Sequence, residues 1–127
     1  SPALASKIDA RATGALPVFV EVNVSGEATK HGCAPADVAA LIDAVEASAH
    51  LQLAGFMTVG LNSSVEADVR AAYAQLRDIR DKAAVRLSIE ESELALSMGM
   101  SQDLEWAIAE GATIVRLGTA IFGARRL

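Results

Sequence analysis

Short apolar runs alternate with longer helical stretches along the whole 127-residue chain, and this alternation most restricts its fold. An alanine-rich segment from Ser1 to Thr13 reads as a helix, ended by Gly14 and followed by Pro17. Val18–Val24 (VFVEVNV) reads as a buried strand and Ser25–Ala34 as a polar loop with two glycines. Pro35 opens a helix running to about Ser48, with Val38, Leu41, Ile42 and Val45 on one face. Leu51–Val59 is the next strand, Gly60–Ser64 a loop, and Val65 to about Arg86 a long amphipathic helix. Leu94–Met98, a helix from Gln102 to Glu110, and a last strand Thr113–Leu117 complete the series. Strands separated by crossover helices pair in parallel, so the expected class is α/β with a parallel sheet in a single domain spanning 1–127.

The composition limits what such a sheet can be for. Apolar residues make up 52% of the chain and aromatics 4%, so the core is built from Ala, Val, Leu and Ile. A net charge of −5 argues against a nucleic-acid or membrane-surface role. The adjacent pair Arg125 and Arg126 is the sole basic patch. One cysteine, Cys33, excludes an intramolecular disulfide and suits a reducing compartment. Without an apolar run of membrane-spanning length or a secretory leader, the expected location is the cytoplasm.

Chemistry concentrates in the last thirty residues, where two small-residue turns follow neighbouring strands. In Ser97-Met98-Gly99-Met100-Ser101, Ser101 lies between a strand end and a helix start. Its hydroxyl can cap that helix, or bind an anion seated above it. Gly118-Thr119 forms the second turn. The loops after the last two strands of a barrel are a recurrent phosphate site, so the two turns together predict a phosphate cup. Arg116 stands inside the apolar strand TIVRLG, with Val115 and Leu117 expected to face helices and Arg116 the interior. Such an arginine is either in an ion pair with Asp or Glu, or reserved for a ligand's ring nitrogen or anionic group. Asn23, near the end of its strand, either faces the same cavity or caps its own loop. Met57 and Thr58 are expected on the barrel wall. His31 and Cys33 have no third partner for a metal, His50 reads as a solvated residue after a helix, and Glu90, Glu91 and Glu93 as a solvated turn.

The pattern SMGMS-x-D-x-x-x-AI followed by GAT-x-VR-x-GTAIFG-AR resembles the signature of the pyridoxal phosphate homeostasis protein family. The segments VEVNVSGEATKHG and LAGFMTV match as well, so the resemblance runs from Val18 to Arg125. It implies the C-terminal half of a (β/α)8 TIM-type barrel, similar to the alanine racemase N-terminal domain. It also implies a pyridoxal 5′-phosphate-binding carrier or buffer of the cofactor, not an enzyme. Carried over by position, Ser101, Gly118 and Thr119 would hold the cofactor phosphate, and Arg116 would sit against the pyridine nitrogen. Ser97 and Met98 would line the pocket, with Asn23 as a further contributor. The family's Schiff-base lysine belongs to a strand of the other half, and Lys7, Lys30 and Lys82 do not sit in that strand's motif. A half-barrel has two free strand edges, which favours self-association or pairing with the missing N-terminal half. The alternatives are a fragment of an amino-acid racemase and a non-catalytic oligomerising module.

Overall fold

The computed structural model describes residues 1–123; Arg125 and Arg126 lie outside the described residues. Four strands, β1 (Leu16–Glu21), β2 (Leu51–Met57), β3 (Ala95–Met100) and β4 (Ile114–Arg116), form one sheet in the order β1-β2-β3-β4. Every neighbouring pair is parallel, as the alternation requires. The helices are α1 (Pro2–Asp9), α2 (Val38–Glu46), α3 (Glu66–Leu87), α4 (Leu104–Ala109) and α5 (Thr119–Phe122).

Side-chain alternation splits the sheet into two faces. Val20, Val22, Val24, Phe56, Leu96 and Met98 join Val38, Ile42, Val45, Val69, Tyr73 and Leu76 of α2 and α3 in one core. Each fully buried aliphatic or aromatic side chain there contributes about 1.5–3 kcal/mol. On the alternate phase, Phe19 and Ile114 stay exposed, at 40% and 43%. The helices cover one face only, so the other face, which would be the interior of a closed barrel, lies open.

Several boundaries differ from the sequence expectations, each for a local reason. The first helix ends at Asp9, because Ala10–Ala12 tighten into turns on Ser6 and Ile8 carbonyls. Strand β1 starts earlier, at Leu16, where its N–H reaches the His50 carbonyl. The Pro35 helix begins as a 3-10 turn, Pro35–Asp37, before α2. Strand β3 continues to Met100 through an irregularity at Gly99, whose φ of 94° breaks the pleat. His50 is no merely solvated residue: its ring Nδ1 lies 3.1 Å from Asp9 Oδ1, and its backbone N–H donates to the same oxygen at 2.8 Å. The resulting tie fastens the end of α1 to the start of β2. Glu90 and Glu93 form a reciprocal capping box on a 3-10 turn, Glu91–Glu93, more ordered than a plain solvated turn.

Candidate functional site

Arg116 occupies the last position of β4 and defines the site. Its Nη2 donates to the Thr58 carbonyl at 2.6 Å, and its Nη1 to the Ser97 Oγ at 3.2 Å and Ser97 carbonyl at 3.3 Å. The guanidinium thus lies across β3 and reaches the end of β2. Among the described residues no carboxylate pairs with it, so of the two readings open from sequence the ion pair is not the one observed. Its acceptors among the described residues are all neutral. Val115 takes the opposite phase, its Cγ1 being among the atoms nearest a Cβ added to Gly99, beside α4.

Arg116 opens onto a cleft of about 680 Å³ at the carboxyl ends of β2, β3 and β4. The structure brings Ser101, Gly118 and Thr119 into the same cleft. Ser101 does not cap α4, as one sequence reading had it. Asp103 holds the N-cap position, while its own Oδ1 accepts the Met100 N–H at 2.7 Å. The Ser101 hydroxyl instead accepts the Ala120 N–H at 3.2 Å, joining the two turns directly and leaving its proton free to donate. Helix α5, a single turn after Gly118, was absent from the sequence expectation. A Cβ on Gly118 would meet nothing within 4 Å, so the approach to this turn is open.

Three expected residues sit differently. Ser97 is buried and reaches the cleft only through its bonds to Arg116. Met98 is fully buried in the core on the helix-facing side, and Met100 takes the cleft position, because the Gly99 irregularity shifts the phase of the strand. Asn23 spends its amide on its own loop: Nδ2 donates to the Glu27 carbonyl at 2.8 Å, and Oδ1 accepts from the Ser25 N–H and hydroxyl. Thr58 is buried, with its Oγ1 accepting the Gly60 N–H at 3.2 Å, and Met57 is half-buried.

Lys30, which the sequence marks as a loop residue and by loop position the nearest lysine to a bound cofactor, is a member of the cleft. The Asn23-ordered loop carries it there, where its Nζ donates to the Gly60 carbonyl at 2.8 Å and pairs with Glu27 at 3.0 Å. Trp106 and the Val59–Ser64 loop complete the walls. The cleft therefore presents the Arg116 guanidinium, the Lys30 ammonium already paired with Glu27, a hydroxyl and two small-residue turns, with Asp103 also in its lining, and the guanidinium, hydroxyl and turns are donors suited to an anionic group.

Fold and cleft together define half of a (β/α)8-type barrel whose cleft lies at the carboxyl ends of the strands. The family model "Alanine racemase, N-terminal domain" matches residues 1–126, and the chain belongs to that family. It is 49% identical over 110 residues to the pyridoxal phosphate homeostasis protein of Pseudomonas aeruginosa, covering 87% of this chain and 45% of that one. The chain thus spans about half the length of the curated relatives it matches. Among solved structures, a protein from Bifidobacterium adolescentis superposes with a TM-score of 0.88 at 40% identity, over 96% of this chain and 50% of that one. PipY of Synechococcus elongatus PCC7942 with pyridoxal phosphate bound superposes with a TM-score of 0.71 at 27% identity, over 96% of this chain and 54% of that one. No helix among the described residues is long and apolar enough to cross a membrane.

Proposed function

We propose that this half-barrel binds pyridoxal 5′-phosphate and serves as a carrier or buffer of the cofactor inside the cell, in the cytoplasm, without turning over an amino acid. The observation that carries the reading is Arg116, a guanidinium held by neutral acceptors at the rim where Ser101, Gly118 and Thr119 converge. When bound, the cofactor supplies an aldehyde that reacts with amines and a pyridine ring that accepts electrons. Ser101 and the Gly118-Thr119 turn would hold its phosphate, with Arg116 against the ring nitrogen and Ser97 fixing the guanidinium. Arg116 would donate a hydrogen bond to the ring nitrogen without giving up its proton, which would leave the ring a weaker electron sink than an acidic partner would. The names of the relatives and the bound cofactor in PipY support the same ligand.

Lys30 is the amine of this half that faces the cleft. The test is to titrate the purified chain with pyridoxal phosphate by absorbance, reduce with borohydride, and locate any adduct by mass. Saturable one-to-one binding is expected, with any covalent adduct on Lys30. Absence of saturable binding would overturn the reading.

The open face supports a second element of the proposal, that the half-barrel pairs with a complementary half, either another copy of itself or an N-terminal half. Exposed Phe19 and Ile114 are the residues such pairing would cover. Light scattering with and without that half reports it directly.

A further inference from the structure

Tyr73 of α3 is fully buried, in a core where a phenylalanine would fill the same space. Its hydroxyl therefore has a role that packing does not explain, since a buried phenol needs a partner. That partner is Asp103, whose Oδ2 accepts the Tyr73 hydroxyl at 2.6 Å. The other carboxylate oxygen accepts the Met100 N–H at 2.7 Å, and the Asp103 N–H returns to the Met100 carbonyl at 3.2 Å. The turn from Met100 to Asp103 is closed on both sides, and Ser101 lies within it. Ser101 in turn accepts the Ala120 N–H, so the connection continues into α5. The Tyr73 hydroxyl also abuts the loop after β2, since a Cβ on Gly60 would stand 2.8 Å from it.

We propose that the Tyr73 hydroxyl is a positioning group for the anion-binding rim: acting through Asp103, it fixes the turn that presents Ser101 to the ligand's phosphate group. The proposal rests on reading the cleft as a pyridoxal phosphate site. Burial first, and the Asp103 hydrogen bond second, push the phenol far above its ordinary range. It remains a donor wherever the protein is folded.

The test is Tyr73→Phe in the full chain, read in two independent ways. Affinity for pyridoxal phosphate is compared with affinity for pyridoxal, which lacks the phosphate, and hydrogen exchange is followed at the Met100 amide. The expected result is a roughly three- to tenfold loss for pyridoxal phosphate, unchanged affinity for pyridoxal, and faster Met100 exchange by a similar factor. Asp103→Asn, which keeps one acceptor oxygen, should fall between the two proteins. Equal losses for both ligands would mean a general structural role and overturn the proposal, as would unchanged affinity for pyridoxal phosphate. If the unsubstituted chain binds no pyridoxal phosphate, the reading of the cleft fails. The Met100 exchange rate then decides alone whether Tyr73 holds the turn, and an unchanged rate rejects it.

Discussion

Arg116 Nη2 and the Thr58 carbonyl stand 2.6 Å apart, so a side chain of β4 spans β3 to close a bond with the end of β2. One residue thereby sets the relative positions of three strand ends. Each acceptor it meets among the described residues is neutral. Replacing it should therefore affect ligand and scaffold separately. Arg116→Ala should weaken pyridoxal phosphate binding by about tenfold or more and shift the absorbance of the bound cofactor. Arg116→Lys should rescue little, since one ammonium cannot reproduce the forked contacts to Thr58 and Ser97. Unchanged affinity and spectrum in the alanine variant would make Arg116 purely structural.

Glu110 predicts the acid limit of the fold. The residue is 8% exposed, and its carboxylate bridges two arginines of α3, Arg70 Nε at 2.8 Å and Arg77 Nη1 at 2.7 Å. The Arg70 hydrogen bond leads in holding its pKa below the ordinary 4.5, against the opposing effect of burial, with Arg77 adding to the depression. A depressed folded pKa means that the stabilisation is complete above 4.5 and drains as pH falls through the lower folded value. Glu110→Gln should cost about 1–3 kcal/mol at neutral pH and flatten the fall of the melting temperature below pH 4.5. Thermal melts from pH 3 to 7 (roughly the span over which carboxylates titrate) check this, and parallel curves for both proteins would refute it.

Gly99 is where β3 meets α4. An added Cβ would come within 2.5 Å of the Ala107 Cβ, on a backbone whose φ is 94°. Gly99→Ala should therefore destabilise by about 2–4 kcal/mol, combining steric overlap with left-handed strain. Adding Ala107→Gly removes the overlap but not the strain, so the double variant should recover only partly. Denaturant midpoints measure both. Full recovery would assign the entire effect to packing.

Phe19 reports on the open face. At 40% exposure it is among the larger apolar side chains left uncovered beside the free edge of β1. Phe19→Ser should shift the chain toward smaller species in light scattering at a given concentration. It should leave pyridoxal phosphate affinity per monomer unaltered unless a partner completes the cleft.

Much of this architecture was legible because apolar periodicity reports burial, and burial here is one-sided. Val38, Leu41, Ile42 and Val45 announced α2, and the β-branched run around Val20 announced β1. Arg116 stood out because a charge interrupts an apolar strand. The residues that sequence misplaced depend on local backbone departures or on side chains meeting across the fold. Met98 follows the same phase as Leu94 and Leu96 into the core, and the irregularity at Gly99 after it brings Met100 to the cleft. Asp103 takes over the helix start from Ser101 because its carboxylate serves Met100 and Tyr73 at once. Lys30 enters the cleft by way of a loop that Asn23 holds together, and nothing in its neighbours' hydropathy encodes that path.

That same loop ends in a short parallel bridge, Val22 with Cys33, in which the Cys33 N–H reaches the Glu21 carbonyl and the Asn23 N–H reaches the Cys33 carbonyl. The outer margin of β1 is therefore already spoken for at its far end, while Pro17 has no N–H to offer near its beginning. Between them, the N–H groups of Phe19 and Glu21, on the phase opposite to the Leu16 and Val22 N–H groups that reach the β2 side, are left for an incoming strand. A neighbour that pairs there has this short stretch of donors to meet, and the further it slips along β1 the more of them it loses. An edge that looks open along its whole length is thus open only over a short middle stretch.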